Sequence, residues 1–78
     1  MKININEIKG MNIPTVIDYM VSIKKIGLFD IIENQNGLTE IIFQSVLPFS
    51  NLLTEEINIL CDKNNKVIKM YHWKATDL

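Results

Sequence analysis

The fold of this chain depends on residues 28–46, which read LFDIIENQNGLTEIIFQSV. Two runs rich in Ile and Phe flank an Asn-Gly pair, which is typical of the turn in a β-hairpin. A two-residue loop would set Glu33 opposite Glu40, and like charges that face each other destabilise a strand pair. A three-residue loop, residues 35–37, sets Glu33 opposite Thr39 instead. We therefore expect two antiparallel strands joined by the longer loop.

This register has a consequence for the apolar side chains of the hairpin. It pairs Ile31 with Ile41 and Phe29 with Phe43, so four large apolar side chains share one face. The sequence therefore predicts that this face packs against the rest of the protein.

A helical alternative exists for two of the predicted strands. Residues 38–47 and 51–61 both contain apolar positions at helical spacing. Residues 39–43 are mostly β-branched or aromatic, which favours a strand. The strand interpretation is preferred for both segments, and the helical one stays open at this point.

The N-terminal third combines a strand pattern with a helix pattern. Residues 2–6 alternate Ile with polar side chains, which indicates a short strand. Pro14 suits the first turn of a helix, and apolar residues then recur at helical spacing on one side. Gly27 is the expected stop signal. The sequence predicts a helix over about 14–26.

The C-terminal third predicts a second hairpin. Residues 55–62 alternate apolar and polar side chains, Asn64-Asn65 provides a turn, and residues 66–74 read as a strand. With that turn the expected facing pairs are Cys61–Ile68, Ile59–Met70 and Ile57–His72. Leu60, Val67, Tyr71 and Trp73 then share the opposite face.

Together these elements predict an α+β fold. One N-terminal helix, about 14–26, packs on an antiparallel β-meander of three to five strands. With 78 residues, we expect a single small globular domain over residues 1–78.

Composition narrows the possible functions. All eight basic residues are Lys, and the net charge is −1. Ile, Lys and Asn, whose codons are AT-rich, are so frequent that an AT-rich genome is the expected source. Because Arg is the side chain that best grips phosphates and guanine edges, nucleic acid is not the expected partner. The single cysteine, Cys61, excludes an internal disulfide and a cysteine-rich zinc site, which favours the cytoplasm. We expect no signal peptide and no membrane span, since the longest uncharged run, 41–54, is too short and too polar.

The reactive side chains do not form a catalytic set. Cys61 and His72 are expected on one face, but about 13 Å apart along neighbouring strands, which is beyond hydrogen-bond reach. Glu33 and Glu40 lie near a hairpin end without the spacing of a cation-binding loop. We therefore predict no catalytic residue, no metal site and no cofactor.

The best candidate site is a surface for binding another protein. Tyr and Trp dominate the energetics of many protein interfaces. The face that carries Leu60, Val67, Tyr71 and Trp73 is the candidate surface, extended by Phe49 from the preceding connection. Whether this face is core or surface is undecided from the sequence.

Three functions fit these expectations to different degrees. The preferred one is a non-enzymatic modulator that binds a protein, of the inhibitor, immunity-protein or adaptor type. A phage or another mobile element is the candidate source, and a homodimer is compatible with this function. The first alternative is a winged-helix-like DNA-binding regulator that uses Lys contacts, and it requires helices over 38–47 and 51–61. The second is a dimeric, cone-shaped α+β domain that binds or transforms a small ligand.

Overall fold

The computed structural model describes residues 2–75, which form two short helices and four strands. Helix α1 spans Ile5–Ile8 and α2 spans Ile13–Asp18, continued by a wider π-helical turn, Tyr19–Ile23. The strands are β1 Gly27–Glu33, β2 Thr39–Val46, β3 Leu53–Cys61 and β4 Val67–Lys74. They form one antiparallel sheet in the order β1-β2-β3-β4. The predicted α+β fold is confirmed, and the helical alternatives for 38–47 and 51–61 are wrong.

The helical segment formed by α2 and the π-helical turn corresponds to the helix predicted over about 14–26. It begins as expected and ends earlier than expected. The Asn12 side chain accepts a hydrogen bond from the Thr15 N–H at 3.0 Å, and a proline occupies the first turn. The segment ends at Ile23, and Lys25 adopts a left-handed conformation with φ 61°. Gly27, the predicted stop, is instead the first residue of β1.

The predicted strand over residues 2–6 is wrong, because local capping overrides the alternating pattern. The Asn4 side chain accepts from the Asn6 N–H at 2.9 Å, and Glu7 Oε2 accepts from the Asn4 N–H at 2.7 Å, which starts helix α1. Glu7 Oε1 also accepts from the Tyr19 hydroxyl at 2.7 Å and lies 3.0 Å from Lys24 Nζ. These hydrogen bonds, first from the Asn4 backbone and then from Tyr19 and Lys24, lower the pKa of Glu7 from 4.5 to about 2.

The β1–β2 hairpin confirms most of the predicted register. The Asn34 N–H donates to the Leu38 carbonyl at 2.9 Å, which leaves a three-residue loop, and Gly37 takes the left-handed position with φ 77°. The pairs Glu33–Thr39 and Ile31–Ile41 are observed. The predicted pair Phe29–Phe43 is wrong, because Phe29 is the extra residue of a β-bulge and Leu28 pairs with Phe43.

The β3–β4 hairpin shows a similar one-residue shift at its turn. Asp62 N–H donates to the Lys66 carbonyl at 2.8 Å, so the loop has three residues, 63–65, instead of two. Cys61 therefore pairs with Val67, and the predicted pair Cys61–Ile68 is wrong. A bulge at Ile68 restores the predicted pairs further along, Ile59–Met70 and Ile57–His72.

The core lies between the helices and one face of the sheet. Alternate residues of β2 and β3 are buried there, together with side chains from the helical segments. The fully buried members include Ile8, Val16, Met20, Ile26, Ile41, Phe43, Ile57, Ile59, Cys61 and Val67. We call the sheet face that meets them the core face, and the opposite face the outer face.

Candidate functional site

The outer face carries the side chains of β2, β3 and β4 that alternate with the buried ones. Pairing sets Gln44, Glu56 and Trp73 in one row across the sheet, followed by the row Ile42, Asn58 and Tyr71 and the row Glu40, Leu60 and Lys69. Their central members are half-buried among neighbouring side chains, whereas those on β4 are exposed.

Two aromatic residues protrude from this face, which answers the question left open by the sequence. Tyr71 is 56% exposed and Trp73 is 50% exposed, and Leu60 lies on the same face, half-buried. Phe49 is fully exposed in the turn between β2 and β3, at the end of the sheet where Trp73 lies. Four of the five predicted site residues are thus at the surface.

Val67 is the exception, because it belongs to the core. Val67 is only 1% exposed, because the longer loop before β4 turns its side chain to the core face beside Cys61. The Val67 carbonyl accepts from the Gly10 N–H, and its N–H donates to the Met11 carbonyl, both at 2.9 Å. These bonds tie the start of β4 to the segment between the two helices.

Polar contacts hold the outer face in a defined arrangement. Gln44 Nε2 donates to Glu56 Oε1 at 2.7 Å. Lys69 Nζ lies 5.1 Å from the centre of the Tyr71 ring, and hydrogen bonding to the Tyr71 side chain is the main cause that raises the pKa of Lys69. The Tyr71 ring is therefore packed against a cation.

The charges of the outer face are predominantly negative. Glu40 and Glu56 lie on its central strands, and Asp30 pairs with Ile42 on the same face. Lys69 is the cation of the rows described above. An aromatic pair flanked by carboxylates can stack on and form ion pairs with Lys or Arg side chains of another protein.

His72 and Cys61 do not meet, and His72 contacts a different residue. Cys61 pairs with Val67 near one end of β3, whereas His72 pairs with Ile57 and its Nε2 lies 2.6 Å from Glu55 Oε2. An ionised carboxylate only accepts hydrogen bonds, so Nε2 is the donor. Burial, and secondarily the nearby Asp62, raises the pKa of the Cys61 thiol and lowers its nucleophilicity at neutral pH.

The Glu55–His72 pair was missed by the sequence reasoning, although a signal for it exists. Glu55 lies two residues before Ile57 and four before Ile59 in β3, so the alternation of side chains along a strand already places it on the same face as they are, the core face. His72 faces Ile57, one step along that face. The two acidic residues near the first hairpin end, Glu33 and Glu40, lie on opposite faces of the sheet, because Glu33 pairs with Thr39 and Glu40 pairs with Ile32.

Residues 2–75 enclose no pocket, and no three His, Cys, Asp or Glu side chains among them are placed to bind a metal ion. Of the helices in the same range, none combines the length and apolar composition that crossing a membrane requires. Comparisons with protein-family models, with curated proteins and with solved structures find no match to this chain.

Proposed function

We propose that this protein is a small non-enzymatic modulator that binds another protein through its outer face, in the manner of an inhibitor, an immunity protein or an adaptor. The observation that carries the proposal is the exposure of Tyr71 and Trp73 on a sheet face opposite the helices. Side chains of this kind lose water-exposed apolar area when a partner covers them, and they act as anchors in protein interfaces.

The chemistry of the surrounding residues favours a basic partner surface. Glu40, Glu56 and Asp30 outnumber Lys69 on the outer face, so the local charge is negative although the chain as a whole is nearly neutral. A partner that presents Lys or Arg gains charge complementarity around the aromatic anchors. The single, buried Cys61 supports a reducing location for this encounter, which we propose to be the cytoplasm.

The test begins with affinity capture from a native lysate of the source organism, followed by purification of the captured protein. Its dissociation constant is then measured against the wild type and against the double variant Tyr71→Ala/Trp73→Ala. Two interface anchors together should weaken binding by at least about a hundredfold. Ile68→Ala is the matched control, because it removes an exposed apolar side chain from β4 itself, outside the rows that contain Tyr71 and Trp73.

Charge complementarity has its own measurement with the same partner. Glu56→Lys should weaken binding and slow association, because reversing one charge in a complementary surface reduces electrostatic steering. Circular dichroism of each variant checks that the sheet survives. The proposal fails if the double alanine variant retains its fold and binds the captured protein as tightly as the wild type does.

A further inference from the structure

Strand β1 differs from the other three strands in that every one of its residues is exposed. It is an edge strand, and within residues 2–75 only β2 pairs with it. Its large apolar side chains are between 43% and 63% exposed and lie on both faces: Leu28, Phe29, Ile31 and Ile32. An edge of this kind, with open backbone groups and apolar flanks, is a template for another strand.

The opposite edge of the sheet is partly covered, which makes the open edge at β1 distinctive. The start of β4 is bonded to the segment between the helices through Gly10 and Met11. At β1, the π-helical turn Tyr19–Ile23 packs nearby and adds exposed apolar side chains, Val21 and Ile23. The apolar surface at this edge therefore extends from the sheet to the helical layer.

The bulge in β1 sets residues of the same face at equal distances on either side of the Phe29–Asp30 peptide bond. Leu28 and Ile31 pair with Phe43 and Ile41 of the core face, whereas Gly27 and Ile32 pair with residues of the outer face. Asp30, next to the bulged Phe29, pairs with Ile42 of the outer face. On either side of the Phe29–Asp30 peptide bond, Leu28 and Ile31 therefore both lie on the core face, and Gly27 and Ile32 both lie on the outer face. Residues that are directly opposite in an antiparallel pair share a face.

From this symmetry we infer that the edge of β1 pairs with β1 of a second copy of the chain, antiparallel, to form a continuous eight-stranded sheet. A two-fold axis between Phe29 and Asp30 sets Leu28 opposite Ile31 of the second copy and Gly27 opposite Ile32 of the second copy. Leu28 and Ile31 then meet each other on the core face, and Ile32 meets Gly27 on the outer face, as an isologous interface requires.

The charges at the ends of β1 match this orientation. Lys25 precedes the strand and is exposed, and Glu33 ends it. Antiparallel self-pairing brings Lys25 of each copy within one residue of Glu33 of the other, so two opposite-charge contacts form. The same axis sets Asp30 opposite Phe29 of the second copy, with the two Asp30 carboxylates diagonal to each other across the axis.

The oligomeric state tests this inference. Sedimentation equilibrium over about a hundredfold range of concentration should show the mass rising from 9.0 kDa toward twice that value. Ile31→Lys should raise the dimer dissociation constant by about a hundredfold, because the new charge occurs twice across the two-fold axis. Ile68→Lys is the matched control, since Ile68 is 42% exposed against 46% for Ile31 but lies on the opposite edge.

Two further variants test the register and remain informative even if Ile31→Lys does not fold. Asp30→Ala should tighten the dimer several-fold, because it removes the diagonal repulsion and frees the Ile31 N–H, which donates to Asp30 Oδ1 at 2.8 Å in the wild type, for pairing with Leu28 of the second copy. Lys25→Glu should weaken the dimer, and adding Glu33→Lys should restore it.

The inference is wrong if the wild type stays at the monomer mass throughout, or if Ile68→Lys dissociates the dimer as strongly as Ile31→Lys. It is independent of the proposed function, because Tyr71→Ala/Trp73→Ala should leave dimerisation unchanged.

Discussion

Replacing His72 with alanine removes the hydrogen-bond donor of a buried carboxylate. The Glu55 side chain is 8% exposed and that of His72 is 24% exposed, with 2.6 Å between Oε2 and Nε2. Hydrogen bonds to charged groups contribute about 1.5–3 kcal/mol, against about 0.2–1 kcal/mol for ion pairs at the surface. Because this pair is largely shielded from water, we expect His72→Ala to lower the free energy of unfolding by about 2 kcal/mol.

That loss is large for a domain of this size, whose net stability is about 3–5 kcal/mol. Urea unfolding followed by far-UV circular dichroism and by the fluorescence of Trp73 measures it, because Trp73 is the single tryptophan of the chain. Glu55→Gln retains an oxygen that accepts from Nε2, so it should cost about 1 kcal/mol. Lys74→Ala, at the exposed cross-strand neighbour of Glu55, should cost less than about 0.5 kcal/mol.

A double-mutant cycle separates the contact from the loss of the two side chains. The combination of Glu55→Ala with His72→Ala should show a coupling energy of about 1.5–2 kcal/mol, because either single variant already removes the hydrogen bond. A coupling below about 0.5 kcal/mol would mean that the two groups do not stabilise each other, and the reasoning from burial and distance would be refuted.

Three other outcomes are expected. Asn4, Tyr19 and Lys24 lower the pKa of Glu7 to about 2, so the stability that Glu7 contributes should be complete above pH 4.5 and lost as the pH falls toward 2. The urea midpoints of the wild type and of Glu7→Gln should therefore converge over that interval. A difference that stays constant with pH would contradict this prediction. Cys61, with 0% exposure and a raised pKa, should react with iodoacetamide only under unfolding conditions, and rapid labelling of the native protein would exclude the buried thiol. Gly37→Ala should lower the free energy of unfolding by about 1–2 kcal/mol in urea titrations, because φ is 77° there, whereas Leu52→Ala in an exposed connection serves as the small-effect control.

The candidate site could be anticipated from the sequence only in part. The alternation of side chains along a strand is enough to place Tyr71 and Trp73 on one face, and the structure shows that both are exposed there. The prediction from alternation was wrong for Val67, because a loop one residue longer than expected places the first residue of β4 on the other face. It also failed at Phe29, where a bulge interrupts the alternation. Bulges depend on how turns and neighbouring segments compete for register, so they leave little trace in local sequence.

The features that depend on neighbouring residues could be predicted from the sequence. The segments of the four strands, the hairpin loop at residues 35–37 and the start of the helix near Pro14 follow from alternation, turn chemistry and the preference of proline for a first helical turn, all of which act over a few residues. Three other features depend on tertiary contacts: the sheet face that the helices cover, the hydrogen bond between Glu55 and His72, and the open edge at β1. These features arise between residues distant in the chain, where packing and pairing geometry select among patterns that are locally equivalent.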